Sequence, residues 1–127
     1  MKKPVHTGAA PAAIGPYSQA IRAGDFLFVS GQLGIDPATK KMVEGGVAAE
    51  AERALRNIGA ILEAAGGTFA DVVKTTVLLQ SMDDFSRLNE VYARFFAGEP
   101  PARAAYQVAR LPLGACVEIE AVAYLGA

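Results

Sequence analysis

The sequence predicts an α+β domain in which a mixed β-sheet carries two helices on one of its faces. Apolar residues recur at helical intervals in two segments, 47–65 and 85–96, while the other apolar runs are short, alternating or β-branched. The resulting order is hairpin, helix, strand, helix, strand, strand, and two helices can cover only one face of such a sheet. At 127 residues and 52 % hydrophobic, the chain is read as one domain spanning 1–127, long enough to bury a core without disulfides.

Residues 1–15 are rich in Pro, Ala and Gly and read as a tail or short edge strand leading to Gly15-Pro16. A strand over 17–22 turns at Ala23-Gly24-Asp25 into a second strand over 26–30, which makes a hairpin. It runs into Ser30-Gly31-Gln32, where the glycine permits close approach of another group to the backbone. A bulge or strand end and a binding role both fit that dipeptide. Asp36-Pro37 and Gly45-Gly46 bracket a polar loop.

From 47 to 65, Val47, Ala51, Ala54, Leu55, Ile58, Leu62 and Ala65 form a helical stripe, Glu52 and Arg56 an i,i+4 pair, and Gly66-Gly67 a stop. The β-branched run over 72–79 fits a strand covered on both faces. A second helix opens at Ser81, with Asp83 and Asp84 at its positive end. Its stripe is Phe85, Leu88, Tyr92, Phe95 and Phe96, and Asn89 falls inside it, about 40° round the helix from Phe85. A buried amide needs partners, so Asn89 either bridges nearby backbone or faces a ligand.

Pro100-Pro101 precede a strand from 102 that puts Arg103, Ala105 and Gln107 on one face and Ala104, Tyr106 and Val108 on the other. After the break at 111–114, the last strand alternates Val117, Ile119, Ala121, Ala123 and Leu125 with Cys116, Glu118, Glu120, Val122 and Tyr124. One strand thus offers a cation and its neighbour carboxylates. If their polar faces look into one cleft, Arg103 shares a site with Glu118 or Glu120. The plainer alternative is a surface ion pair contributing about 0 to 1 kcal/mol.

Twelve Lys and Arg against thirteen Asp and Glu leave a net charge of -1 without a dense basic run, which argues against a nucleic-acid partner. The single cysteine, Cys116, excludes an internal disulfide, and the single histidine, His6, lies in the N-terminal stretch. A His-Cys metal cluster and a Ser-His or Cys-His nucleophilic pair are therefore not expected. With no long apolar segment, the expectation is a cytoplasmic protein with no membrane partner and no cofactor.

Five segments, in order and evenly matched in spacing, resemble the reactive intermediate deaminase family, RidA or YjgF, over nearly the whole chain. They are Gly15-Pro16-Tyr17-Ser18-Gln19-Ala20, Val29-Ser30-Gly31-Gln32, Leu88-Asn89-Glu90-Val91-Tyr92, Pro101-Ala102-Arg103 and Val117-Glu118-Ile119-Glu120-Ala121. The resemblance implies a chorismate-mutase-like subunit assembling as a homotrimer, with clefts between neighbours. It also implies hydrolysis of short enamine and imine acids, such as 2-aminoacrylate, 2-iminopropanoate and 2-iminobutanoate, to 2-keto acids and ammonia.

By position, Arg103 matches the family residue that binds the substrate carboxylate, and Glu120, rather than Glu118, the residue that manages the attacking water. Tyr17, Ser30, Gly31 and Asn89 match residues around the ligand. Ala105 departs from the pattern: many members carry a Cys there, and its loss bears on substrate range. The competing expectation is a regulatory or chaperone-like trimer that captures small carboxylates without turning them over. RNA cleavage, attributed to some relatives, fits the charge and composition least.

Overall fold

The computed structural model describes residues 1–126. Its strands are β1 (Lys2–Val5), β2 (Ala20–Ala23), β3 (Phe26–Gln32), β4 (Val72–Leu79), β5 (Ala102–Gln107) and β6 (Val117–Tyr124), and its helices are α1 (Gly46–Ala64) and α2 (Phe85–Phe95). All six strands join one sheet in the order β1-β2-β3-β6-β4-β5. The β4–β5 pair is parallel and the others antiparallel. A parallel pair cannot be closed by a hairpin, and here α2 supplies the crossover.

Helix α1 ends as its two glycines predict. Gly66 takes φ 86 and donates to the Glu63 carbonyl, while Gly67 donates to that of Leu62, so the last carbonyls are satisfied by a left-handed cap. At the second helix, the Ser81 hydroxyl accepts from the Asp83 amide at 3.1 Å, and a single 3-10 turn over Met82–Asp84 leads into α2.

The core lies between the sheet and the helices, where Leu27, Leu55, Ile58, Ile61, Leu62, Val77, Leu79, Leu88, Val117 and Ile119 are fully buried. Burial on that scale removes about 1.5 to 3 kcal/mol of apolar exposure per large side chain. In β4, Thr75, Val77 and Leu79 face this core, whereas Lys74 on the opposite face is exposed and Thr76 and Leu78 are half-buried. The expected double-sided cover of β4 is thus supplied on one face only within the chain.

Two strand boundaries differ from the expectation. The first hairpin strand starts at Ala20 rather than 17, because residues 17–19 are taken into a loop. The buried Gln19 side chain accepts from the Thr7 amide at 2.7 Å and donates to the Pro11 carbonyl at 2.8 Å, clamping the N-terminal segment instead of continuing a ladder. Conversely, β3 continues to Gln32 by way of an irregularity. Val29 pairs with Ala121 and Gln32 with Ile119, so Ser30 and Gly31 together stand opposite the single residue Glu120.

The register decides which face each polar residue occupies. Arg103 pairs with Thr75, and Thr75 with Ala121, a row whose members on β4 and β6 are buried beneath the helices. Ala104 pairs with Thr76 and Thr76 with Glu120, and Tyr106 with Leu78 and Leu78 with Glu118, on the open face. That open face also carries Phe28, and Phe26 packed edge-on against Tyr124 at 5.2 Å, all three exposed.

Candidate functional site

The chemistry expected from the sequence divides into two clusters. In the first, Arg103 leaves the edge strand β5 on the helix side and reaches across α2. Its Nη1 donates to the Asn89 side-chain oxygen at 2.7 Å. Its guanidinium carbon lies 5.3 Å from the centre of the Phe85 ring and 4.8 Å from that of Tyr92. Ala105, two residues along the same face of β5, is half-buried against the core. Asn89 therefore has its partner: the amide oxygen is engaged in holding the arginine.

Phe85 and Tyr92 were legible as part of the α2 stripe but not as neighbours of the cation. Their spacing around Asn89, at i, i+4 and i+7, was the available signal, since those positions share one helix face. Burial pushes the Tyr92 phenol up from its ordinary value, against the hydrogen bond shared with Thr75 and the charge of Arg103, which lower it.

The second cluster gathers around the β3 irregularity on the open face. The Ser30 hydroxyl donates to the Ser18 carbonyl at 2.6 Å, and the Ser30 amide to the Gln19 carbonyl at 2.9 Å. These bonds dock the loop that carries Tyr17, itself 52 % exposed, beside Ser30. Gly31 lies under the Glu118 side chain: a Cβ there would collide with the Glu118 carboxylate. Burial, and then the charge of Glu120, push the Glu118 carboxyl above its ordinary range. Glu120 is exposed and borders a shallow depression with Phe28, Lys74, Thr76 and Val122.

Within one subunit the two clusters do not meet. Arg103 and Glu120 belong to β5 and β6, separated by β4 and directed to opposite faces. What the first cluster can do is bind a planar anion, because a guanidinium held in a fixed orientation offers paired donors. The second presents two carboxylates and hydroxyl groups suited to handling a proton or a water.

Cys116 belongs to neither cluster. Burial, then the hydrogen bond and charge of Glu50, push its thiol up to about 11, leaving it a poor nucleophile. Among the described residues, no three His, Cys, Asp or Glu side chains are placed to hold a metal ion. No helix among them is long and apolar enough to cross a membrane.

Comparison with known proteins gives a consistent set of relatives. The chain is 56% identical over 126 residues to the mouse (Mus musculus) protein named 2-iminobutanoate/2-iminopropanoate deaminase, covering 99% of this chain and 93% of that one. The crystal structure of RidA from the Antarctic bacterium Psychrobacter sp. superposes with a TM-score of 0.93 at 50% identity, covering 96% of this chain and 98% of that one. E. coli TdcF with bound serine superposes with a TM-score of 0.93 at 40% identity, covering 98% and 99%. Residues 7–125 match the family described as Endoribonuclease L-PSP. On the sheet order, the five motif segments and this end-to-end match, the chain belongs to that family, the RidA/YjgF family.

Proposed function

We propose that residues 1–127 form a single RidA-like domain that acts as a 2-iminobutanoate/2-iminopropanoate deaminase, hydrolysing short 2-imino acids to 2-keto acids and ammonia. The observation that carries this is the Arg103 guanidinium fixed by Asn89 and two aromatic rings, a receptor for the carboxylate that every such substrate bears beside its C=N carbon. Relatives more than half identical bear the deaminase name, and TdcF carries serine, an amino acid with the same carboxylate placement.

In this reading Glu120 aims a water at the imine carbon and takes its proton as the C–O bond forms. Returned to the nitrogen, that proton gives a carbinolamine; transfer of the hydroxyl proton to the nitrogen then lets the C–N bond break as the C=O forms, and ammonia leaves a 2-keto acid still held on Arg103. An enamine such as 2-aminoacrylate enters after tautomerising to its imine. The reaction proceeds unaided in water, so positioning and one general base, worth about 10² to 10⁴-fold, suffice. Tyr17 and Ser30 supply polar contacts, Gly31 its backbone, and Ala105 leaves room for the substrate side chain.

Arg103 and Glu120 can serve one substrate only if they come from different subunits. A homotrimer with sites between neighbours meets that demand. The exposed Phe26, Phe28, Tyr106 and Tyr124 support burial of the open face against a copy of the chain. The setting proposed is the cytoplasm.

The test is a coupled assay in which an amino acid oxidase or threonine dehydratase generates the imino acid and keto acid formation is followed. Wild type should accelerate it and Arg103→Ala should not. Ligand binding without any acceleration would favour the non-catalytic carboxylate-binding trimer, and a monomeric mass by light scattering would overturn the composite site.

A further inference from the structure

We infer that Tyr92 is a positioning residue for Arg103, acting through the face of its ring, and that with Phe85 and Asn89 it leaves the Nε–Nη2 edge of the guanidinium to receive the substrate carboxylate. This rests on the proposal that Arg103 binds that carboxylate.

Phe85 and Tyr92 are two helical turns apart, about 10 Å along the axis of α2. With its carbon 5.3 Å from one ring centre and 4.8 Å from the other, the guanidinium is within reach of both rings at about equal distance. Both rings hold it through the attraction of a cation to a π-face. The bond from Nη1 to Asn89, at 2.7 Å, then fixes rotation in the remaining direction.

Tyr92 is itself held. Its hydroxyl shares a hydrogen bond of 2.7 Å with the buried Thr75 hydroxyl, and its ring packs on Phe96 with centres 4.6 Å apart. Thr75 is also the β4 residue in register with Arg103. The strand pairing that sets the base of the arginine therefore also anchors the ring that holds its tip. This closed circuit needs no contribution from another subunit.

An arginine has five N–H donors in a rigid fork, and a carboxylate takes two parallel ones. Among the described residues, Nη1 is the guanidinium nitrogen with a protein acceptor. The Nε–H and an Nη2–H form the parallel pair in which neither nitrogen is engaged by the protein. A carboxylate bound side-on there has its plane fixed, and with it the direction in which the adjoining imine carbon points.

The experiment compares wild type, Tyr92→Phe, Tyr92→Leu and Arg103→Ala in calorimetric titration with 2-oxobutanoate, alongside KM and kcat in the coupled assay. Phe and Leu both lose the Thr75 bond, but only Phe keeps the ring. Tyr92→Phe should bind within about 3-fold of wild type, and Tyr92→Leu about 10-fold more weakly, its loss falling mainly on KM. Equal losses in both, or wild-type binding in Tyr92→Leu, would overturn the ring's role. Should Tyr92→Leu fail to fold, Phe85→Leu makes the same comparison: several-fold weaker binding is expected, and unchanged binding overturns the inference. If wild type and Arg103→Ala bind alike, the carboxylate-binding proposal fails and takes this inference with it. A clear Arg103→Ala loss with neutral ring variants sinks the inference alone.

Discussion

Arg103 and Glu120 stand on opposite faces of one sheet, with β4 between their strands. Two side chains so placed cannot touch one small substrate within a subunit. Either alone, changed to Ala, should abolish turnover, yet co-refolded Arg103→Ala and Glu120→Ala subunits should recover about a quarter of wild-type activity, the share of interfaces that randomly pair an intact Arg with an intact Glu. Mixtures as inactive as their components would place both residues in separate sites.

Gly31 and Glu118 occupy complementary space. Gly31→Ala puts a methyl where the Glu118 carboxylate lies, so that side chain must swing out of its notch. A loss of about 1 to 3 kcal/mol in urea unfolding is expected from the overpacking, and Glu118→Ala in the same chain should relieve much of it. Strictly additive effects would show that the two do not compete for the notch.

Glu118 also gives stability a pH dependence of definite sign. Its carboxyl is raised above the ordinary 4.5 by burial and by the charge of Glu120. In the window from 4.5 up to the raised folded value, the native state holds more proton than the unfolded chain, so stability falls as pH rises. Glu118→Gln removes this, and its melting temperature should exceed that of wild type at neutral pH by a margin that shrinks as pH falls through that window and has closed below 4.5. A margin independent of pH would contradict the assignment.

Cys116 should alkylate slowly at neutral pH, its rate climbing towards an apparent pKa of about 11 as iodoacetamide reactivity is followed with pH. Glu50 accepts from the Cys116 amide at 2.8 Å and its charge opposes thiolate formation. Glu50→Gln should therefore lower the apparent pKa towards the ordinary 9.0 and speed alkylation. A faster wild type would reverse that electrostatic sign.

Local patterns in the sequence foretold local structure well. The apolar stripe of α1 lies within one residue at each end of the expected span, and the alternation of β6 sorts buried Val117, Ile119, Ala121 and Ala123 from Glu118 and Glu120. The start of β2 was not legible, because it depends on Gln19 capturing carbonyls 8 or more residues away. The opposed faces of Arg103 and Glu120 were hidden for a similar reason: alternation gives faces within a strand, whereas their relation needs the register across β4. Spacing put Asn89 in the α2 stripe, but the hydrogen bond to Arg103 depends on where the crossover returns. The roles of Arg103 and Glu120 were suggested by the family's motifs, and Phe85 and Tyr92 emerged only when the chain was folded.

Val29 and Gln32 both point into the core although they are three positions apart, because Ser30-Gly31 adds one residue to the strand. Deleting either member would restore strict alternation with Gln32 still on the core face, two positions from Val29. What deletion of Gly31 would cost is the widened backbone opposite Glu120 and the notch in which the Glu118 side chain lies. Length changes should consequently leave the site intact in the 36–45 loop and disturb it between 29 and 32, where the extra residue shapes the surroundings of Glu118 and Glu120 and does not set which way the strand faces.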